Sequence, residues 1–249
     1  MLPVVLVHGL RTSRTMWRFQ EGALRGYGYR TLAIDMPGHG RRRGERFTLD
    51  GAVEAVADGV QEVGGRAAVV GLSLGGYIGI AHAARHPEQV AGLVAASCCT
   101  RPLRLLVDGW AMLARGIAGL PDAGAGLNQW SVDRVLSTQA AQDVAAGGFA
   151  LDVMDDVLRA MRSADPVGDL RRIEAPVWLV NGRYDHFRGE ERRFLAACRD
   201  GRLVIVPRAT HLASLSAPVG FTRVLLECLG SLDQSTVSDQ ARTPPVIPA

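Results

Sequence analysis

The sequence predicts an α/β fold in which a mostly parallel sheet carries helices on both faces. Short apolar runs recur along the chain, at Val4–Val7, Arg66–Val70, Val90–Ala96, Val177–Asn181 and Leu203–Pro207. Each has the length of a buried strand, and each ends in a turn built from Gly, Ser, His, Asp or Thr. Helical patterns lie between them, which is the alternation of a parallel sheet with crossover helices.

Taken in order, each strand delivers a residue with chemical potential. Val4–Val7 ends in His8-Gly9-Leu10, where glycine frees the backbone to turn and aim an N–H at a site. The second run leads into Gly71-Leu72-Ser73-Leu74-Gly75-Gly76 and then into a helical pattern from Tyr77 to Arg85. This strand, turn and helix read as a nucleophile elbow. It holds a serine at a strand tip in a strained conformation, and small residues are demanded two positions to either side. Leu74, immediately after the serine, offers a main-chain N–H to an oxyanion. Val90–Ala96 ends in Ser97-Cys98-Cys99-Thr100, without a carboxylate. After Val177–Asn181 the turn Gly182-Arg183-Tyr184 leads to Asp185, with His186 next to it. The last run is followed by His211 in a short loop before a helix expected from Ser214 to Leu229. A serine nucleophile needs a base and an acid that orients the base. His211 can reach back to Ser73 from its loop; His186 competes, but its adjacency to Asp185 makes a linear relay awkward.

In this combination the chain resembles the α/β-hydrolase superfamily from Pro3 to about Leu229. The resemblance rests on His8-Gly9, on Asp35-Met36-Pro37-Gly38-His39-Gly40, on the elbow, and on His211-Leu212. It implies a Ser73-Asp185-His211 triad with oxyanion donors at Leu10 and Leu74. It begins at the strand leading to His8-Gly9, without the antiparallel hairpin that opens many members, so about six strands are expected, all or nearly all parallel. Every one of the 28 basic residues is arginine. The lysine-dependent lyase chemistry of some relatives is therefore not expected in its usual form, and Ser73 argues against the dehalogenases that place aspartate at the elbow.

Composition narrows the class. A chain of 249 residues, 47% of them hydrophobic, can bury a full core as one domain. No apolar stretch approaches the roughly 18 residues of a membrane helix, and the first strand has neither a basic flank nor a cleavage site. A cytoplasmic protein is expected. Cys98, Cys99, Cys198 and Cys228 lack metal or redox spacing and read as reduced core thiols. The net charge of +3 is too small to point to a nucleic-acid partner.

Between Ala96 and Pro176 lies far more chain than a strand-to-helix connection needs. Residues 100–165 are expected to form a helical cap on a core made of residues 1–99 and 166–230. Trp110, Met112, Leu113 and Ile117 share one helical face; Leu151, Met154, Val157, Leu158 and Met161 recur at three- and four-residue spacing. Such a lid favours a partly hydrophobic substrate, with Trp110 and Trp130 as aromatic contacts and Arg101 as a partner for a substrate carboxylate. Residues 231–249 are polar and proline-containing and read as a flexible tail.

Other features are weighed against plainer readings. His82 and His86 share a helix face, but no acidic or cysteine companion supports metal binding, and no cofactor is expected. Arg41-Arg42-Arg43 with Arg46 reads as a solvated loop or as a dock for an acyl-carrier protein or coenzyme A thioester. The expected activity is hydrolysis of an ester, thioester or lactone of a small molecule through an acyl-enzyme. The rival readings are a lyase or C–C hydrolase using the same triad as a base system, and a ligand receptor with a vestigial triad.

Overall fold

The computed structural model describes residues 1–242 apart from 121 and 123. Six strands form one sheet: β1 (Val4–Val7), β2 (Thr31–Ile34), β3 (Ala67–Leu72), β4 (Val90–Ala96), β5 (Val177–Gly182) and β6 (Gly201–Val206). Their order is β2-β1-β3-β4-β5-β6, and every pairing is parallel. Parallel strands need covered faces, which is why β1, β3 and β5 are buried along their whole length.

The pleat explains how one run feeds two cores. Successive side chains point to opposite faces, so Val5 and Val7 enter one apolar cluster while Val4 and Leu6 enter the other. Helices α1 (Arg18–Gly26), α2 (Leu49–Glu62) and α3 (Leu74–Arg85) open the chain's helical complement. Val53, Val56 and Val60 of α2 and Ile78 and Ile80 of α3 fill the first cluster. Trp17 and Leu24, at α1, join the second.

The insertion between β4 and β5 carries α4 (Arg104–Ala118), α5 (Ala125–Val135), α6 (Thr138–Ala145) and α7 (Met154–Met161). Val153, Val157 and Met161 are buried in the first cluster, so α7 is docked on the core as its periodicity predicts. The Ala150 N–H donates to the Arg11 carbonyl at 3.1 Å. Ion pairs Arg43–Asp152, Arg46–Asp156 and Arg18–Asp143 tie the same segment to the core. Outer helices α4 and α5 differ from the expected lid. Trp110 is 47% and Trp130 61% exposed, with Leu105 and Met112 still more open. The side chain of Leu113 lies outside the described residues.

The chain closes through α8 (Pro166–Leu170), α9 (Glu191–Ala197), α10 (Ala213–Ser216) and α11 (Pro218–Arg242). The helix expected to end at Leu229 continues through the first part of the segment read as a tail. Leu232 extends the buried stripe of Phe221, Leu225, Cys228 and Leu229 at helical spacing. Asp233 accepts from the Leu2 N–H and the Tyr29 hydroxyl, each at 3.0 Å. Residues 243–249 of that segment lie outside the described residues. All four cysteines are free, and among the described residues no helix is long and apolar enough to cross a membrane.

Candidate active site

In an open parallel sheet, ligands bind beyond the carboxyl ends of the strands where the order reverses. Here the chain steps from β1 to β2 on one side, then to β3 on the other, so the reversal falls between β1 and β3. Gly9 follows β1 and Ser73 follows β3. A Cβ placed on Gly9 would lie 3.7 Å from the Ser73 Cβ, which shows how closely the two turns meet.

Ser73 sits at φ 55°, ψ −115°, a left-handed conformation that L side chains avoid. The turn is held by hydrogen bonds from its own N–H to the Ala96 carbonyl (2.8 Å) and from the Gly76 N–H to its carbonyl (2.9 Å). It is also held by space. A Cβ on Gly71 would stand 2.1 Å from the Gly75 carbonyl oxygen, and one on Gly75 would stand 2.2 Å from that of Val7. The two small residues that the elbow demands are therefore required by backbone packing on both sides.

The side chains expected to cooperate do meet. His211 Nε2 is 2.9 Å from Ser73 Oγ, and His211 Nδ1 is 2.9 Å from Asp185 Oδ1. Asp185 is buried and also accepts from the Phe187 N–H at 2.8 Å. Burial pushes the Asp185 carboxyl upward, but the bond to His211, the His211 charge, the Phe187 N–H and the Ser97 hydroxyl together hold it below the ordinary carboxylate range. His186 packs against the His211 ring at 4.8 Å between centroids, with Phe187 at 4.7 Å. The rival base thus flanks the imidazole and is outside the line to Ser73.

The N–H groups expected to serve as oxyanion donors are unpartnered. Leu74 is the first residue of α3, so its N–H has no partner within the helix, and no described group accepts from the N–H of Leu10 or Leu74. Free donors at the positive end of a helix suit an anion.

Several expectations change at this point. Arg101 is engaged by Glu190, through its backbone N–H at 2.8 Å and its Nε at 2.9 Å, so its charge is already answered. Trp110 and Trp130 are too open to solvent to be the enclosed aromatic contacts expected, and the Trp130 ring lies under the Arg134 guanidinium. In the basic loop, Arg42 pairs with Glu45, Arg43 with Asp152 and Arg46 with Asp156, because acids from its own turn and the cap reach back to it. His82 bonds Gln89 at 2.8 Å and stacks on His86. Two strained residues near these turns carried no such signal in the sequence. Ser97 is fully buried at φ 55°, beside Asp185, and Arg11 is strained at φ 64° just after Leu10.

His8 supports the β1 turn from below. Its Nε2 accepts from the Met36 N–H at 3.0 Å and its Nδ1 donates to the Gly9 carbonyl at 2.8 Å, which uses both nitrogens of a neutral ring. Burial, then the nearby His39 charge, lower its pKa to about 3; burial takes His82 to about 4. Both folded values lie below the unfolded one. Their stabilising contribution is complete above pH 6.5 and is lost as pH falls from there toward 4, where the unfolded chain takes up protons that the folded chain refuses. The slope is about 1.4 kcal/mol per pH unit for each histidine. Urea midpoints measured from pH 7 to pH 4 are expected to fall accordingly, and less steeply for His82→Gln than for the parent.

Comparison with known proteins agrees with this fold. The model of the alpha/beta hydrolase family matches residues 4–224. A pimeloyl-[acyl-carrier protein] methyl ester esterase of Neisseria meningitidis is 30% identical over 238 residues, covering 86% of this chain and 72% of that protein. Epoxide hydrolase B of Mycobacterium tuberculosis is 34% identical over 123 residues, 47% of this chain and 31% of its own length. The solved structure of a hydrolase from Pseudomonas aeruginosa superposes with a TM-score of 0.76 at 26% identity, covering 92% of this chain and 90% of that one. With the fold, the elbow and these matches in agreement, the chain belongs to the alpha/beta hydrolase family and is an enzyme of the esterase type.

Proposed function

We propose that the protein is a serine hydrolase that cleaves an ester, thioester or lactone of a small, partly hydrophobic molecule through an acyl-enzyme. The continuous hydrogen-bonded line from Ser73 through His211 to Asp185 carries this reading. His211 Nε2 takes the Ser73 proton as Oγ attacks the carbonyl carbon. The Leu10 and Leu74 amides receive the developing oxyanion, and Asp185 fixes the His211 tautomer and stabilises the imidazolium. His211 then protonates the leaving alcohol or thiol, and water repeats the sequence on the acylated serine. Acyl-carrier and coenzyme A conjugates belong among the substrates to assay, because one relative is named for an acyl-carrier protein ester.

An acyl-enzyme has a kinetic signature. Stopped-flow hydrolysis of p-nitrophenyl butyrate is expected to release a burst of nitrophenolate equal to the enzyme concentration, followed by a slower steady rate if deacylation limits turnover. Acid quenching during the steady rate should trap the butyryl adduct on the peptide containing Ser73. Turnover with no trappable adduct under single-turnover conditions would count against covalent catalysis and favour the reading in which the triad serves as a base system.

A further inference from the structure

The sequence holds six histidines, and the ring nitrogens of five have polar neighbours. His8 uses both nitrogens beneath the β1 turn, and His39 Nδ1 lies 3.0 Å from the Pro37 carbonyl oxygen. His82 Nε2 meets Gln89, His86 lies beside Glu54 and Glu88, and His211 spans Ser73 and Asp185. His186 is the exception among the described residues. It is exposed, and its ring contacts are with Phe187 and His211, at 4.8 Å between centroids in each case. An imidazole with both nitrogens free of hydrogen bonds therefore stands beside the proposed base.

Chain order explains the arrangement. The Asp185 carboxylate caps the short turn after β5 by accepting from the Phe187 N–H, which holds the next residue, His186, on the same loop. His211 arrives from the loop after β6. One potential ligand atom from each of Asp185, His186 and His211 lies within 4.8 Å of the other two. In a tetrahedral zinc site, with bonds of about 2.0–2.1 Å, neighbouring donor atoms stand roughly 3.4 Å apart. The remaining gap is of the size that rotation of the exposed His186 side chain spans. Two imidazoles and one buried carboxylate suit a borderline transition metal, whereas magnesium and calcium take oxygen ligands.

We propose that a divalent transition-metal ion of the zinc class binds Asp185, His186 and His211 and reversibly inhibits the enzyme. The inhibition rests on the serine-hydrolase reading above, and the ion is an inhibitor, not a cofactor. A neutral imidazole has one N–H and one nitrogen lone pair. If the ion takes the lone pair of His211 Nε2, that nitrogen no longer accepts from Ser73. If it takes Nδ1, the ring proton resides on Nε2, which then donates and cannot remove the Ser73 proton. In both arrangements His211 is lost as a base, and the Asp185 charge answers the metal in place of the imidazolium.

The test follows p-nitrophenyl butyrate hydrolysis by the parent protein in a non-coordinating buffer with zinc or magnesium sulfate, and then with excess EDTA. Zinc is expected to inhibit, magnesium at the same concentration to leave the rate unchanged, and EDTA to restore it. Each variant is measured against its own zinc-free rate. His186→Gln is expected to raise the half-inhibitory zinc concentration at least about tenfold, since even an outer-shell partner of a metal ligand is worth that much. Calorimetric zinc binding to Ser73→Ala, which keeps all three donors without turnover, should weaken by at least the same factor when His186→Gln or His211→Gln is added. A hydrolysing parent that zinc does not inhibit, or a half-inhibitory concentration unchanged in His186→Gln, would overturn the proposal. So would inhibition that is lost in Cys198→Ser and kept in His186→Gln, which would place the ion on a thiol. If the parent lacks Ser73-dependent turnover, the hydrolase reading fails and the inhibition falls with it, whereas zinc binding that still requires His186 and His211 would uphold the site.

Discussion

Ser73→Ala is expected to yield a folded protein whose kcat on ester substrates is lower by about 10⁴- to 10⁶-fold. The fold should survive because the elbow is held by backbone hydrogen bonds to Ala96 and Gly76 and by packing at Gly71 and Gly75, none of which uses the hydroxyl. The rate should not survive, because Oγ is the atom that His211 Nε2 addresses at 2.9 Å. Asp185→Asn should approach the same loss by another route. A neutral amide at that position no longer selects the Nδ1–H tautomer of His211 or stabilises the imidazolium, and the effect is roughly 10⁴-fold where the same arrangement serves acyl transfer. Steady-state kinetics on one aryl ester, beside circular dichroism of each variant, separates lost chemistry from lost structure.

The second large effect is expected from a single methyl group. Gly75→Ala would place its Cβ 2.2 Å from the Val7 carbonyl oxygen and 2.6 Å from that of His8. Both obstacles are main chain at the end of β1, so no rotamer change can relieve the overlap. Either β1 and α3 separate or the elbow distorts. The expected result is a loss of more than about 4 kcal/mol, in the tail of point-substitution effects that comes with forced overpacking. The measurement is the urea midpoint, or the soluble yield where the protein does not accumulate. Gly26→Ala, at a position with nothing within 4 Å, is the control and should be close to neutral.

The fold and the convergence of Ser73, Asp185 and His211 were legible because they depend on local pattern. The buried runs Val4–Val7 and Val90–Ala96 emerge as strands at the residues expected, since a parallel strand covered on both faces must be apolar throughout. Ser73 follows β3 directly, and Asp185 and His211 follow β5 and β6 within five residues, so the strand ends limit where these side chains are delivered. What was not legible depends on residues far apart in sequence. Nothing local to Arg101 announces Glu190, and nothing local to Arg43 announces Asp152. The segment after Leu229 is polar by composition, yet Leu232 and Asp233 find partners on the core that extend the helix. The periodicity of α4 identified a helix but could not say that Trp110 and Met112 would stay open to solvent. Ser97 and Arg11 are ordinary residues in ordinary contexts until the backbone conformation is known.

The most direct test of the account is the intact mass of the parent protein and of Ser73→Ala after exposure to a fluorophosphonate. The geometry predicts one adduct on the parent, mapped to the peptide bearing Ser73, and none on the variant. An unlabelled parent, or equal labelling of Ser73→Ala, would contradict the claim that His211 and Asp185 activate this serine.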